Sequence, residues 1–245
     1  MESITGIIMT HKETLVDGDG YLLFEKLIPE SLIDDFTGRL SELYPVRASS
    51  HDHKYAERDD IKNLKDISVW WSQLVLDWPE VIAIDNIVGN IAKPLLNNGV
   101  AYTSDTVFIE PHSKWINPHV DTPYRFKKWN FDKELLGIQS IIALTDMDKD
   151  TASTGLYPES QKRDWYIDMC YNGYYDSVFK KNMIQPNMPK GSVVMYNCRL
   201  LHSSMPNPKD ISRPALLLNY VDGDIIEELN VIDNVWKSNG KSHND

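Results

Sequence analysis

Several short segments in the second half of the chain show the hydrophobic patterns of β-strands. Alternation from Tyr102 to Ile109 predicts a strand with two distinct faces, and the apolar run from Gly137 to Thr145 predicts a buried strand. The run from Gly191 to Tyr220 predicts two further strands separated by a proline-rich turn. Evenly spaced strands joined by turns rich in Pro and Gly favour a jelly roll, also called a double-stranded β-helix.

The first hundred residues show a helical pattern instead. Apolar residues recur at three- and four-residue spacing between Glu30 and Tyr44, which predicts an amphipathic helix that begins just after Pro29. Residues 46–66 are charged and lack periodicity, so they predict a long loop. Residues 17–24 predict a turn followed by a short strand.

The region between that loop and the first long strand contains large apolar side chains. We expect a short helical or turn segment at Trp70–Trp71 and a helix from about Pro79, since proline is favoured in the first turn of a helix. After Val221 the chain becomes acidic and then polar, and we expect this end to fray.

Length and composition favour a single domain over residues 1–245. Jelly rolls of this size commonly form one domain. We expect mainly β structure with flanking helices: a helical decoration over about residues 1–100 and a jelly-roll, cupin-like core over about 101–222. The composition leaves the oligomeric state open.

Charge and cysteine content narrow the possible partners and the compartment. The formal net charge of −11 disfavours binding to nucleic acid or to an anionic membrane surface. No apolar run reaches the about 20 residues that span a bilayer, and the first residues lack the pattern of a signal peptide. Cys170 and Cys198 show no paired metal-binding spacing and favour a reducing compartment, so we expect a cytoplasmic protein.

A short extended segment bounded by prolines contains the first candidate ligands. His119 and Asp121 lie two residues apart between Pro118 and Pro123, so their side chains share a face. Together with a later His202 they supply two imidazoles and one carboxylate, the set that holds non-haem Fe(II). A lone histidine beside an apolar run is also compatible with a purely structural role.

A second group of polar residues follows the Gly191 strand. His202 and Ser204 lie two apart at the end of that strand, so both point to one face. Arg213 begins the next strand, held extended by Pro214. Its guanidinium either reaches solvent or meets an anion.

These residues together resemble the phytanoyl-CoA dioxygenase-like family of Fe(II)- and 2-oxoglutarate-dependent oxygenases. The resemblance spans residues 101–220, with a looser match at the N-terminus. It is carried by His119-Val-Asp121, by Lys190-Gly-Ser-Val-Val-Met-Tyr196, by His202-Ser-Ser204, by Asn207 and by Arg213-Pro214.

The resemblance assigns a role to each residue. It implies that His119, Asp121 and His202 bind iron, and that Arg213, helped by Ser204, binds the distal carboxylate of 2-oxoglutarate. The family topology places His202 and Arg213 in facing sheets with both side chains in one cavity. Thr106 and Gln139 are further candidate contacts: the strand position of Thr106 matches one near 2-oxoglutarate, and Gln139 is a polar residue in a buried strand that needs a hydrogen-bond partner.

The resemblance also implies a reaction. Fe(II), 2-oxoglutarate and O2 would hydroxylate a small-molecule substrate with release of succinate and CO2, and ascorbate would be a supporting reductant. Two alternatives stay open: a metal-dependent jelly-roll enzyme of another class, such as a hydrolase or isomerase, and a metal-free jelly-roll binding module.

Other polar motifs carry weaker signals. Asp17-x-Asp19 lacks the remaining ligands of an EF-hand loop. His51 and His53 form a second candidate metal pair, although a solvated loop explains them as well. In the turn at residues 154–162, Glu159 and Gln161 replace the Gly and His that the resembled family has there.

Overall fold

Two antiparallel sheets contain the strands of the described residues. The structure is a computed structural model, and it describes residues 4–50, 69–73, 78–109, 111–112, 118–124, 135–163 and 176–238. The larger sheet has six strands in the order β1-β6-β4-β8-β3-β2, and β5 pairs with β7 in a two-stranded sheet. The strands are β1 Tyr21–Phe24, β2 Val69–Gln73, β3 Val100–Ile109, β4 Gly137–Ala143, β5 Gly155–Leu156, β6 Val193–Asn197, β7 His202–Ser203 and β8 Arg213–Val221.

The described helices lie mostly in the first hundred residues and at the end of the chain. They are α1 Ile4–Val16, α2 Glu30–Ser50, α3 Pro79–Ala92, α4 Asp176–Asn182 and α5 Ile226–Ser238. Short 3-10 turns cover Lys93–Leu95, Ser160–Lys162 and Gly223–Ile225.

The larger sheet has one face covered by helices. Alternate residues of a strand point to opposite faces, and on β8 Leu216, Leu218 and Tyr220 belong to the main apolar core. Helices α1, α2 and α3 supply buried partners to this core, among them Leu15, Ile33, Phe36, Val81 and Ile84. The intervening residues of β8, including Arg213 and Asn219, point to the opposite face, which we call the site face.

The two sheets separate the two halves of the Gly191–Tyr220 segment. After β6 the chain turns and forms β7, which pairs with β5 so that His202 lies opposite Leu156. β8 returns to the larger sheet between β4 and β3. The prediction that His202 and Arg213 belong to different sheets is confirmed, as is the jelly-roll fold class with flanking helices.

Most predicted elements are present with shifted ends. The predicted helix from Glu30 continues through Pro45 to Ser50, so the expectation of a loop is wrong for residues 46–50. Pro45 lacks one helical hydrogen-bond donor and its ring crowds the preceding turn, but the helix continues past it, and no glycine follows to end the helix. Residues 51–66, with His51 and His53, lie outside the described residues.

Three elements differ from the sequence expectation. Trp70–Trp71 lie in strand β2, paired with Phe108 and Val107, because an adjacent strand with unpaired backbone groups overrides local preference. Helix α1 was not predicted. The residues after Val221 form α5, in which Leu229 is fully buried in an apolar cluster, while residues 239–245, where fraying is expected, lie outside the described residues.

Candidate functional site

The two candidate histidines are neighbours across an isolated backbone bridge. The His119 amide donates to the His202 carbonyl at 2.9 Å, and the His202 amide donates to the His119 carbonyl at 3.0 Å. The Asp121 amide donates to the Cys198 carbonyl at 2.8 Å. These bonds hold the Pro118–Asp121 segment against the chain that leads from β6 into β7.

His119, Asp121 and His202 converge in space. Each offers one ligand atom, and these atoms all lie within 4.8 Å of one another. His202 Nε2 lies 3.2 Å from Asp121 Oδ2, and His119 Nε2 lies 3.9 Å from Asp121 Oδ1. Two imidazoles and one carboxylate are a donor set that suits Fe(II) and leaves coordination positions open.

The tautomer of His202 follows from its backbone partner. His202 Nδ1 lies 3.0 Å from the Leu200 carbonyl oxygen, which can only accept, so Nδ1 carries the proton. A neutral ring therefore presents the lone pair of Nε2 to Asp121 Oδ2. The lone pairs of His202 Nε2 and Asp121 Oδ2 repel each other at 3.2 Å unless a positive charge lies between them. That charge is either a second ring proton or a metal ion.

Asp121 has a second buried partner. The Tyr196 hydroxyl donates to Asp121 Oδ2 at 3.0 Å. Burial, followed by the charge of Asp121, raises the pKa of Tyr196 well above its usual value. Burial and Asp121 likewise raise the pKa of the nearby Cys198 thiol, which favours its neutral form.

Arg213 lies at the start of β8 on the site face. Its side chain is buried, Nη2 donates to the Ala152 carbonyl at 2.7 Å, and Nε has no hydrogen-bond partner. Burial lowers the pKa of Arg213 to about 9, because the charged form is poorly solvated. A buried guanidinium with an unused donor fits a carboxylate ligand such as that of 2-oxoglutarate.

Gln139 points to the site face as well. It lies in register between Tyr196 on β6 and Asn219 on β8. The Asn219 amide donates to Gln139 Oε1 at 2.8 Å, which is the partner that this buried polar residue requires. Ser204 follows β7, two residues after His202, and is half-buried.

Thr106 points away from the candidate ligands. It lies directly opposite Leu216 of β8, a residue of the core beneath the helices, and opposite residues of paired strands share a face. Its neighbours Asp105 and Val107 point to the site face instead. The structure therefore places the Thr106 side chain on the helix-covered face and not on the site face.

Asp105 is a site-face residue that the sequence reasoning did not single out. Burial raises the pKa of Asp105 to about 6; a hydrogen bond from Thr103 lowers it and the charge of Asp121 raises it further. The available signal was the alternation itself, which places a carboxylate in the same row as Val107 and Ile109.

The turn that departs from the resembled family lies beside this site. Glu159 adopts the left-handed backbone conformation, with φ of 65°, that a glycine accepts most easily. Gln161 Nε2 donates to the Gly18 carbonyl at 3.0 Å, so its amide group is directed to the turn before β1. Ser160 Oγ accepts from the Leu201 amide at 2.8 Å and ties the turn to the residue before His202.

Comparison with known proteins identifies the family. The sequence model described as phytanoyl-CoA dioxygenase matches residues 16–215, and the chain belongs to that family. Membership supports the general class of iron- and 2-oxoglutarate-dependent enzymes. A comparison with curated proteins found no match.

Several solved structures share the fold. The epimerase SnoN from nogalamycin biosynthesis, described as non-heme and alpha ketoglutarate dependent, aligns with a TM-score of 0.64 at 13% identity, covering 89% of this chain and 84% of SnoN. The carbocyclase SnoK from the same biosynthesis aligns with a TM-score of 0.63 at 18% identity, covering 88% and 82%. AviO1 from Streptomyces viridochromogenes Tue57 aligns with a TM-score of 0.62 at 16% identity, covering 91% and 96%.

One of these neighbours has been solved with ligands: SnoN in complex with Fe3+, alpha ketoglutarate and nogalamycin RO. In the part of this chain that is described, none of the helices is long and apolar enough to cross a membrane.

Proposed function

We propose that this protein is an Fe(II)- and 2-oxoglutarate-dependent oxygenase that acts on a C–H bond of a small-molecule substrate. The observation that carries the proposal is the convergence of His119, Asp121 and His202, whose ligand atoms all lie within 4.8 Å of one another. His119, Asp121 and His202 would hold the metal, because a set of two imidazoles and one carboxylate suits Fe(II) and leaves coordination positions for other ligands.

Arg213 is the residue that supports 2-oxoglutarate as the co-substrate. Its guanidinium is buried on the site face with Nε unpaired, so binding of a carboxylate would restore the hydrogen bond and the charge partner that burial removes. Ser204, near His202, would donate a further hydrogen bond to that carboxylate. Gln139 and the other site-face side chains would border the bound molecules.

The roles of the residues follow from these contacts. Iron together with 2-oxoglutarate and O2 would supply the oxidising power for C–H cleavage. The chain orients the ligand set through the His119–His202 bridge, keeps His202 in the Nδ1-protonated tautomer through Leu200, and fixes the co-substrate by one end through Arg213. Buried apolar residues on the site face, among them Ile141, Val194 and Ala215, would limit the access of water to the site.

The outcome of C–H oxidation is proposed as hydroxylation. A second outcome, in which a hydrogen atom returns to the opposite face of the carbon or a ring closes, both without oxygen insertion, is favoured by the names of two neighbours, an epimerase and a carbocyclase. Product analysis with 18O2 separates these outcomes: hydroxylation incorporates label into the product, whereas epimerisation and ring closure do not.

An anaerobic titration tests the proposal directly. Purified protein receives Fe(II) and then 2-oxoglutarate, and the visible charge-transfer band of the chelate is recorded. We expect the band in the wild type, its loss in His119→Ala and Asp121→Ala, and its weakening in Arg213→Ala. Metal binding without a band would favour a metal-dependent enzyme of another class, and absence of metal binding would favour a binding module.

A further inference from the structure

We infer that Tyr196 is a positioning residue that orients the Asp121 carboxylate toward the metal. The inference rests on the proposed function, because it requires that His119, Asp121 and His202 hold a metal ion. Tyr196 is the last residue of the Lys190–Tyr196 motif, to which the sequence analysis assigns no role in the site.

Tyr196 contacts two of the three candidate ligands. Its hydroxyl donates to Asp121 Oδ2 at 3.0 Å, and its ring centroid lies 4.7 Å from that of His202. The side chain is fully buried on the site face of β6. One rigid ring, fixed by the strand, therefore contacts both the carboxylate and an imidazole of the site.

The hydroxyl restricts how the carboxylate can bind. A free aspartate carboxylate rotates about its last bond and can offer one oxygen or both to an ion. A hydrogen bond held at Oδ2 by a buried phenol fixes the carboxylate plane and disfavours chelation by both oxygens. A one-oxygen carboxylate leaves more coordination positions for co-substrate and oxygen.

The chain supplies a matched control for this residue. Tyr220 is also fully buried, and its hydroxyl also donates to a carboxylate, Asp85 Oδ1, at 2.7 Å. Tyr220 points to the helix-covered face, away from the candidate ligands. Tyr196→Phe and Tyr220→Phe thus remove the same atom and the same type of bond in two places.

The experiment measures metal binding by the purified full chain without substrate. Affinity for Fe(II) is measured anaerobically by chelator competition, and Co(II) absorption reports the number of ligands on the metal. We expect Tyr196→Phe to bind Fe(II) roughly 10- to 100-fold more weakly than the wild type, as is typical when a residue that orients a ligand is removed. The Co(II) spectrum should also change, while Tyr220→Phe should match the wild type in both measurements.

The outcomes separate this inference from the proposed function. If the wild type binds Fe(II) and Tyr196→Phe binds it equally well with an unchanged Co(II) spectrum, the inference fails and the proposed function stands. If the two Phe variants weaken binding equally, the effect is a general loss of stability and the inference also fails. If Tyr196→Phe fails to fold while Tyr220→Phe folds, Tyr196 has a structural role and the inference fails. If the wild type binds no metal, both the proposed function and this inference fail.

Discussion

Asp105 and Asp121 lie close enough together that the charge of Asp121 contributes to the raised pKa of Asp105. The larger cause is burial of Asp105 on the site face of β3. Asp105 is not one of the proposed ligands. It is therefore a second acidic group on the site face, in addition to the proposed ligand Asp121.

This environment predicts a pH-dependent stability for the metal-free protein. The folded pKa of Asp105 is raised from 3.8 to about 6, so its stabilising contribution is present below about pH 3.8 and is lost as the pH rises through about 6. Asp105→Asn should therefore be more stable than the wild type at pH 7.5, by about 2 kcal/mol, with no such gain at pH 4. Thermal unfolding at both values measures this difference.

Asp35→Asn serves as the control for Asp105→Asn, because Asp35 lies exposed on α2. It removes the same charge and should change stability little at either pH. A gain of stability that is the same at pH 4 and pH 7.5 would contradict the assignment of a raised pKa to Asp105.

The unpaired Nε of Arg213 predicts a specific effect of a conservative change. Lysine keeps a positive charge but lacks the planar fork that donates two hydrogen bonds to one carboxylate. Arg213→Lys should weaken 2-oxoglutarate binding by roughly 10- to 100-fold and leave Fe(II) affinity unchanged. Calorimetry of the metal-loaded protein measures the first effect, and chelator competition measures the second.

Arg199→Lys is the matched control for this change. The Arg199 guanidinium also donates to a backbone carbonyl, that of Arg163 at 3.1 Å, but in an exposed position. It should leave 2-oxoglutarate affinity unchanged. Equal losses in both variants would argue against a co-substrate role of Arg213.

Helix α5 gives a prediction about the fold. Leu229 is fully buried in the cluster that also contains Cys198 and Val221, whereas Val231 on the same helix is 63% exposed. Leu229→Ala should lower the free energy of unfolding by about 2–5 kcal/mol, and Val231→Ala by about 0.5 kcal/mol or less. Denaturant unfolding measures both, and equal effects would argue that α5 does not dock on the core.

His119 and Asp121 could be paired from sequence because their spacing is local, whereas the resemblance to the family implied that His202 joins them. Residues two apart in an extended segment share a face whatever the rest of the chain does, and this places His119 beside Asp121 and His202 beside Ser204. Strand alternation identified β3, apolar runs identified β4, β6 and β8, and helical periodicity identified α2. These features depend on backbone geometry over a few residues.

Register and burial were decided by the tertiary structure. Thr106 and Asp105 are adjacent in β3, and only pairing with β8 determines which of them points to the site face; a shift of one residue would exchange them. The strand at Trp70–Trp71 and helix α5 form because neighbouring elements offer unpaired backbone groups and an apolar surface. The hydrogen bond from Tyr196 to Asp121 joins residues far apart in sequence, so no local pattern could indicate it.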